Sequence, residues 1–157
     1  MSTLDRLALP VTAVAALAFA LAGCGAHKPT NGQALARQQV TQTVHAYIRA
    51  QTAGDGPAAC ALLTTGARQQ LSTLVMRASN GMLKAPPSCE DAVGLIRAIA
   101  GAGVLAALRQ ASVEQVQIRG EDATARVVDG AAFSAQQVSL RRVGGAWKIA
   151  AVPGLGG

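Results

Sequence analysis

Aromatic, acidic and histidine residues are scarce in this chain. Its 157 residues include one Trp, one Tyr, two Phe, two His and eight acidic residues. So few aromatic side chains give no stacking platform for single-stranded nucleic acid, although the formal net charge is +6. Two histidines and three cysteines also offer few metal ligands. The composition therefore predicts no nucleic-acid partner and no metal site.

Glycine is abundant, yet its spacing matches no nucleotide-binding motif. Gly101 and Gly103 form a G-x-G, but they follow an apolar helical stretch instead of a strand, and a third glycine is missing. The sequence therefore predicts no bound cofactor.

The first 23 residues have the layout of a secretory signal peptide. A short start that contains Arg6 precedes an uncharged run over residues 7–23, which is shorter than the ~20 residues that a membrane-spanning helix needs. The run ends in LAGC at residues 21–24, which resembles a bacterial lipobox. This resemblance implies that a diacylglycerol is joined to the Cys24 thiol and that the chain is cut before Cys24. An ordinary signal peptide that contains a cysteine is the alternative.

These features predict a protein that is lipid-anchored on the extracytoplasmic side of the cell membrane. Residues 1–23 are the predicted signal peptide, residues 24–33 the lipidated Cys and a flexible tether, and residues 34–157 a single domain. Without Arg6 and Asp5 the chain keeps 13 basic and 7 acidic residues, so its net charge stays +6. The 11 Arg against 3 Lys of the full sequence, with many alanines, are typical of a GC-rich genome such as that of an actinobacterium.

Two cysteines remain if Cys24 carries the lipid. An even pair in an exported protein favours a disulfide between Cys60 and Cys89. A catalytic pair of Cys60 and His45 is the alternative that the residues leave open.

The hydrophobic pattern changes from a helical to a strand period after Gln110. Apolar residues recur at helical spacing from Ala34, and clusters of Gly and Pro break this part into several helices. Ser88 is the predicted cap of one of them, with Glu90 and Asp91 in its first turn. Four segments of alternating polarity follow at residues 112–120, 122–130, 136–145 and 146–152, and the paired Gly144 and Gly145 predict a tight turn before the last one. When these segments are sorted by parity, their apolar side chains share one face. We therefore predict an α+β fold with N-terminal helices packed on a curved, four-stranded antiparallel sheet.

A helix over residues 34–52, the turn GDG at residues 54–56, a short helix and a final strand that begins with GGAWKI at residue 144 follow one another. This order resembles the nuclear transport factor 2-like superfamily, in which helices and a curved sheet form a cone. The pair of Cys60 and Cys89 resembles that of small actinobacterial lipoproteins of this kind. The superfamily includes enzymes, such as ketosteroid isomerases and polyketide cyclases, that place acids, His or Tyr inside the cone.

Four residues are candidates to line a pocket inside such a cone. Tyr47 belongs to the apolar stripe of the first helix, and His45 lies at the edge of that stripe. Trp147 is on the apolar strand face, and Glu114 has the same parity as Val116 on that face. No pair of Asp and His or of Tyr and Asp lines up there, so no catalytic residue is predicted.

The expected function is that of a non-catalytic module that binds a small ligand or a partner protein. One alternative is an enzyme of the polyketide cyclase or isomerase type that uses Glu114, His45 or Tyr47. Another is a structural subunit of a membrane complex.

The polar face of the predicted sheet collects cations. Its four basic residues are Arg119, Arg126, Arg141 and Lys148. In the simpler interpretation, this face only keeps the protein soluble. The sharper hypothesis is that it is attracted to anionic membrane lipids or to acidic wall polymers.

Overall fold

The computed structural model of the protein describes residues 31–128 and 135–151. The predicted signal peptide, Cys24, most of the tether and the last six residues of the predicted domain lie outside these ranges. Within them, five helices precede four strands. The helices are α1 (Asn31–Ala53), α2 (Gly56–Ala61), α3 (Thr65–Ala78), α4 (Cys89–Ile99) and α5 (Ala102–Arg109). The strands are β1 (Ser112–Arg119), β2 (Asp122–Val128), β3 (Gln136–Val143) and β4 (Ala146–Ala151).

Helix α1 places one apolar stripe in the core. Val40, Val44, Tyr47 and Ile48 are buried at the spacing that the sequence indicates, whereas Arg49 is exposed. Two details differ from the prediction. The helix begins at Asn31, so residues 31–33 are helical and not part of the tether. The predicted stripe also extends one turn too far, because the side chain of Leu35 is 56% exposed.

Side-chain caps set the starts of the next three helices. The carboxylate of Asp55 accepts a hydrogen bond from the backbone N–H of Ala58 (3.0 Å) and so caps α2. The hydroxyls of Thr64 and Ser88 accept equivalent bonds at the starts of α3 and α4. These bonds satisfy N–H groups that have no partner inside a helix. The cap at Ser88 is the one that the sequence predicts.

The sheet is an antiparallel meander with the strand order β1-β2-β3-β4, as predicted. Its tight turns use residues that tolerate positive φ: Gly120 lies in the first turn, and Gly144 and Gly145, with φ of 58° and 82°, connect β3 to β4. The edge of β4 is partly covered, because the backbone N–H of Ile149 donates to the carbonyl of Leu62 (2.9 Å). The inner face buries apolar side chains from β2, β3 and β4, and the core lies between this face and the helices.

A bulge in β1 overturns the predicted position of Glu114. The pairing of β1 with β2 shifts register between Glu114 and Gln117, and Gln115 takes a φ of +50°. The extra residue reverses the parity of the strand start, so Val113 is half-buried and Glu114 is exposed. Glu114 therefore does not share the inner face with Val116.

The predicted disulfide is present and joins α2 to α4. Cys60 and Cys89 are bonded with a Cα–Cα distance of 6.2 Å. Next to this bridge Gly56 packs closely against α4, because a Cβ atom at Gly56 would lie 2.9 Å from the Cα of Glu90. The start of α4 is thus held by a covalent bond and by a close backbone contact.

Replacing both cysteines by serine is expected to lower the free energy of unfolding by about 3–4 kcal/mol, because the bridge closes a loop of about 30 residues. Denaturant unfolding of the variant and of the parent protein measures this difference. As a control, the unfolded but unreduced parent protein should take no thiol label at residues 60 and 89. Stoichiometric labelling at both positions would contradict the disulfide.

Candidate functional site

An apolar cavity with a volume of about 610 Å³ lies between the helices and the inner face of the sheet. Its walls come from α1, α3, α4, α5 and the strands β2, β3 and β4, together with Met82 and Leu83 of the loop after α3. This volume falls within the ~300–1,000 Å³ that is usual for small-molecule sites. The cavity is therefore the strongest candidate for a binding site in the described part of the chain.

No charged side chain lines this cavity among the described residues. The polar groups in its walls belong to Tyr47, Gln51, Ser79 and Gln136. Ser79 is already satisfied, because its hydroxyl donates to the carbonyl of Met76 (2.7 Å) and accepts from the N–H of Leu83 (3.4 Å). An ionised group deep in the cavity would have no counter-charge and would lose its hydration. The walls therefore suit an uncharged, apolar ligand.

Tyr47 is the titratable residue of the wall. Its side chain is buried, and its hydroxyl has no hydrogen-bond partner among the described residues. Burial raises the pKa of Tyr47 to about 12, because the phenolate would be poorly solvated. Tyr47 is thus a neutral, protonated part of the wall at physiological pH.

The structure brings only one of the four predicted pocket residues to the cavity. Tyr47 lines it, whereas His45, Glu114 and Trp147 do not. His45 is half-buried on α1, and Glu114 accepts a hydrogen bond from the Ser112 hydroxyl (3.2 Å) on the exposed side of β1. Trp147 is buried on the inner face, and its indole N–H finds no acceptor in the described ranges.

Helices α4 and α5 supply wall residues that sequence reasoning missed. Leu95, Ile96 and Ile99 of α4 and Val104 and Leu105 of α5 line the cavity. Their helical spacing was the available signal, but periodicity alone does not separate a cavity wall from a closed core.

No single helix in residues 31–128 and 135–151 has both the length and the apolar composition to cross a membrane. Only α4 and α5 together reach that threshold, and they are bent by 113°.

The cavity opens to solvent between apolar side chains. Met82 and Ile99 both line it, and their side chains are 82% and 71% exposed. Met82 and Ile99 therefore add exposed apolar surface to the opening of the cavity.

The predicted basic face exists, but acids interrupt it. Register places Arg119, Asp122, Arg141 and Lys148 in one row across the four strands. Arg141 donates to the carboxylate of Asp122 (2.8 Å), and this contact raises the pKa of Arg141 above its ordinary value. In the same way, Arg126 lies in register with Glu114. A small recess of about 160 Å³ on this face is lined by Arg119 and Asp122 together with Gln117, Ala123, Thr124 and Gln137.

Comparisons with protein-family models, with curated proteins and with solved structures found no match. In residues 31–128 and 135–151, no group of three or more His, Cys, Asp or Glu side chains is placed to hold a metal ion.

Substituting Tyr47→Phe is expected to raise the free energy of unfolding at pH 7 by about 1 kcal/mol, because it removes a buried hydroxyl that lacks a partner. The parent protein should also lose about 1 kcal/mol of stability between pH 9 and pH 11. The pKa of Tyr47 is about 12 in the folded protein and 10 in the unfolded chain, so the unfolded chain loses the phenolic proton first. The free energy of unfolding therefore falls as the pH rises from 10 towards 12.

Denaturant unfolding of both proteins across this pH range measures the two effects. The Phe variant is the control, since it lacks the titrating group and should keep its stability. A lower stability of the variant at pH 7 would mean that the hydroxyl has a partner.

Proposed function

We propose that this protein is a lipid-anchored module of the cell envelope that binds an uncharged, apolar small ligand in the cavity. The observation that carries the proposal is a cavity of about 610 Å³ whose described walls hold no charge. Burial of apolar ligand surface in such a site is favourable by roughly 25 cal/mol per Å².

A cone-like arrangement of the nuclear transport factor 2-like kind is part of this proposal. Its support is that α1 contacts both edge strands of the open sheet, β1 and β4, as well as β2. A four-stranded sheet is about 14 Å wide between its edge strands, so one helix reaches both edges more easily when the sheet curves around it.

The lipid anchor and the extracytoplasmic location rest on LAGC at residues 21–24 and on the uncharged run before it. The disulfide between Cys60 and Cys89 supports this location, because disulfides persist in oxidising compartments outside the cytoplasm. Two acyl chains on one residue would hold the protein stably in a membrane.

We do not extend the proposal to cyclase or isomerase chemistry. Such chemistry needs a general base beside the substrate, and the described residues of the wall include no carboxylate and no imidazole. Burial raises the pKa of Tyr47 to about 12, so its hydroxyl stays protonated and does not serve as that base. A role as a structural subunit of a membrane complex has no observation in its favour. The outer sheet face, with its recess beside Arg119, is a second candidate contact, for acidic wall polymers.

Cys24→Ser is expected to release the protein from the membrane or to leave its signal peptide uncut, because serine offers no thiol for the diacylglycerol. Fractionation of cells that express the full chain, with mass spectrometry of the N-terminal peptide, measures both effects. Cys60→Ser is the matched control, since it removes a thiol outside the lipobox and should leave the protein anchored. Unchanged membrane retention of Cys24→Ser together with an unchanged cleavage site would exclude the lipobox.

A photoreactive ligand tests the cavity. The full chain, in its membrane, is exposed to a diazirine derivative of hexadecanol, and adducts are mapped by mass spectrometry. We expect adducts on α4 and α5 and a drop of about tenfold in Leu74→Trp, because the indole would occupy space from the half-buried wall position on α3.

Gln69→Trp is the matched control for this experiment, since it adds the same side chain at an exposed position on α3 that does not line the cavity. Equal labelling of the two variants, or adducts confined to the outer sheet face, would reject the cavity as the binding site.

A further inference from the structure

The mouth of the cavity combines exposed apolar side chains with cations. The side chains of Met82 and Ile99 are exposed at the mouth. Exposed basic residues flank the segments that carry them. Three of these residues, called the mouth cations below, each follow or precede a residue of the cavity wall in the sequence: Arg77, Lys84 and Arg109. The side chain of a fourth basic residue, Arg97, lies against Gly54 just after α1 and is not counted among them. Exposed apolar side chains with cations nearby are typical of surfaces that dock on anionic lipid.

Acidic residues are absent from the mouth end of α4. Between Arg77 and Arg109 the only acids are Glu90 and Asp91, and both lie in the first turn of α4. Asp91 accepts a hydrogen bond from the Ser88 hydroxyl (2.7 Å). At 1.5 Å per residue, the first turn of α4 is ~14 Å from Ile99 along the helix. On the described segments that carry Met82 and Ile99, the charges outside the first turn of α4 are therefore all positive, in contrast to the outer sheet face, where Asp122 and Glu114 interrupt the cations.

We infer that the mouth of the cavity docks on an anionic lipid bilayer, with Met82 and Ile99 among the acyl chains and the mouth cations at the headgroup phosphates. The inference rests on the proposed function in one respect, since the lipid anchor supplies the nearby bilayer. Residues 24–30 span at most about 25 Å when extended, so the anchored domain stays next to the membrane. Docking in this orientation gives an apolar ligand a path between bilayer and cavity that avoids water.

A second copy of the chain fits this surface less well. Contact between two mouths would bring the mouth cations of both copies together, and like charges that face each other oppose association. An anionic bilayer instead complements both components of the surface, the apolar centre and the cationic surround.

The experiment measures the contact of residue 82 with lipid. Met82→Cys in the full chain is labelled with the fluorophore NBD and combined with vesicles of phosphatidylcholine and phosphatidylglycerol that contain doxyl-labelled lipid. We expect several-fold stronger quenching at residue 82 than in the matched control Gln137→Cys, which labels an exposed position on the outer sheet face. Quenching at residue 82 should weaken in vesicles of phosphatidylcholine alone and at high salt.

Two charge variants assign the contact to a surface. Changing the three mouth cations to Gln should reduce quenching at residue 82, whereas changing Arg119, Arg126, Arg141 and Lys148 to Gln should leave it unchanged. If the first variant does not fold, the comparison of the two lipid compositions still decides the question without any charge substitution.

Three results would overturn the inference. One is equal quenching at residues 82 and 137, and another is quenching that ignores phosphatidylglycerol. The third is an NBD label at residue 82 that is buried but not quenched by lipid, which would assign the mouth to a second copy or to a protein partner. The Leu74→Trp variant separates this inference from the proposed function, because a filled cavity should still dock. Ligand adducts without quenching at residue 82 would reject the docking alone.

Discussion

The packing of α1 against the inner face of the sheet is the contact on which the rest of the structure depends. Val40 and Val44 of α1 are almost fully buried. Helix α1 also contacts α2, α4 and α5, so it connects the other helices to the sheet. Each buried side chain of this size stabilises the fold by roughly 1.5–3 kcal/mol. The inner face is uneven, since Ala123 and Ala125 are small whereas Leu140 is large. Helix α1 packs on the sheet, and α3, α4 and α5 form the other helical walls of the space that remains above the inner face. This space is the cavity.

Helix α4 is fixed at one end and forms a wall at the other. Its first residue, Cys89, is bonded to Cys60, and the close approach of Gly56 to Glu90 leaves no room for a side chain between α2 and α4. The link after α2 is itself joined to the sheet, because the backbone around Leu63 pairs with Ile149 of β4. The start of α4 is therefore connected through α2 to the edge of the sheet. Its last turns, which contribute Leu95, Ile96 and Ile99 to the cavity, therefore extend from a helix start that is held in place.

The sequence predicted correctly those features of the fold that depend on interactions between neighbours in sequence. The change of period after Gln110, the cap at Ser88 and the paired glycines before Trp147 all act through neighbours in sequence, and the structure has these features where the pattern predicts them. The position of Glu114 was wrong because one residue in an unusual conformation, Gln115, reverses the parity of everything before it. The cavity was beyond sequence reasoning for a different reason. Whether apolar side chains from α4 and α5 close against the sheet or leave a gap depends on helix positions that no periodicity encodes.

The least supported wall of the cavity is α5. None of its side chains is fully buried, and Val104, Leu105 and Leu108 are half-buried where they line the cavity. Folding leaves part of the apolar surface of these residues in contact with water, so that part adds little to the free energy of unfolding. An apolar occupant would cover the same surface and supply the missing contacts. The helix that gains most from an occupant is joined to α4 just beyond Ile99, at the mouth, so the binding energy of a ligand and the apolar contacts of the mouth act on one continuous stretch of chain.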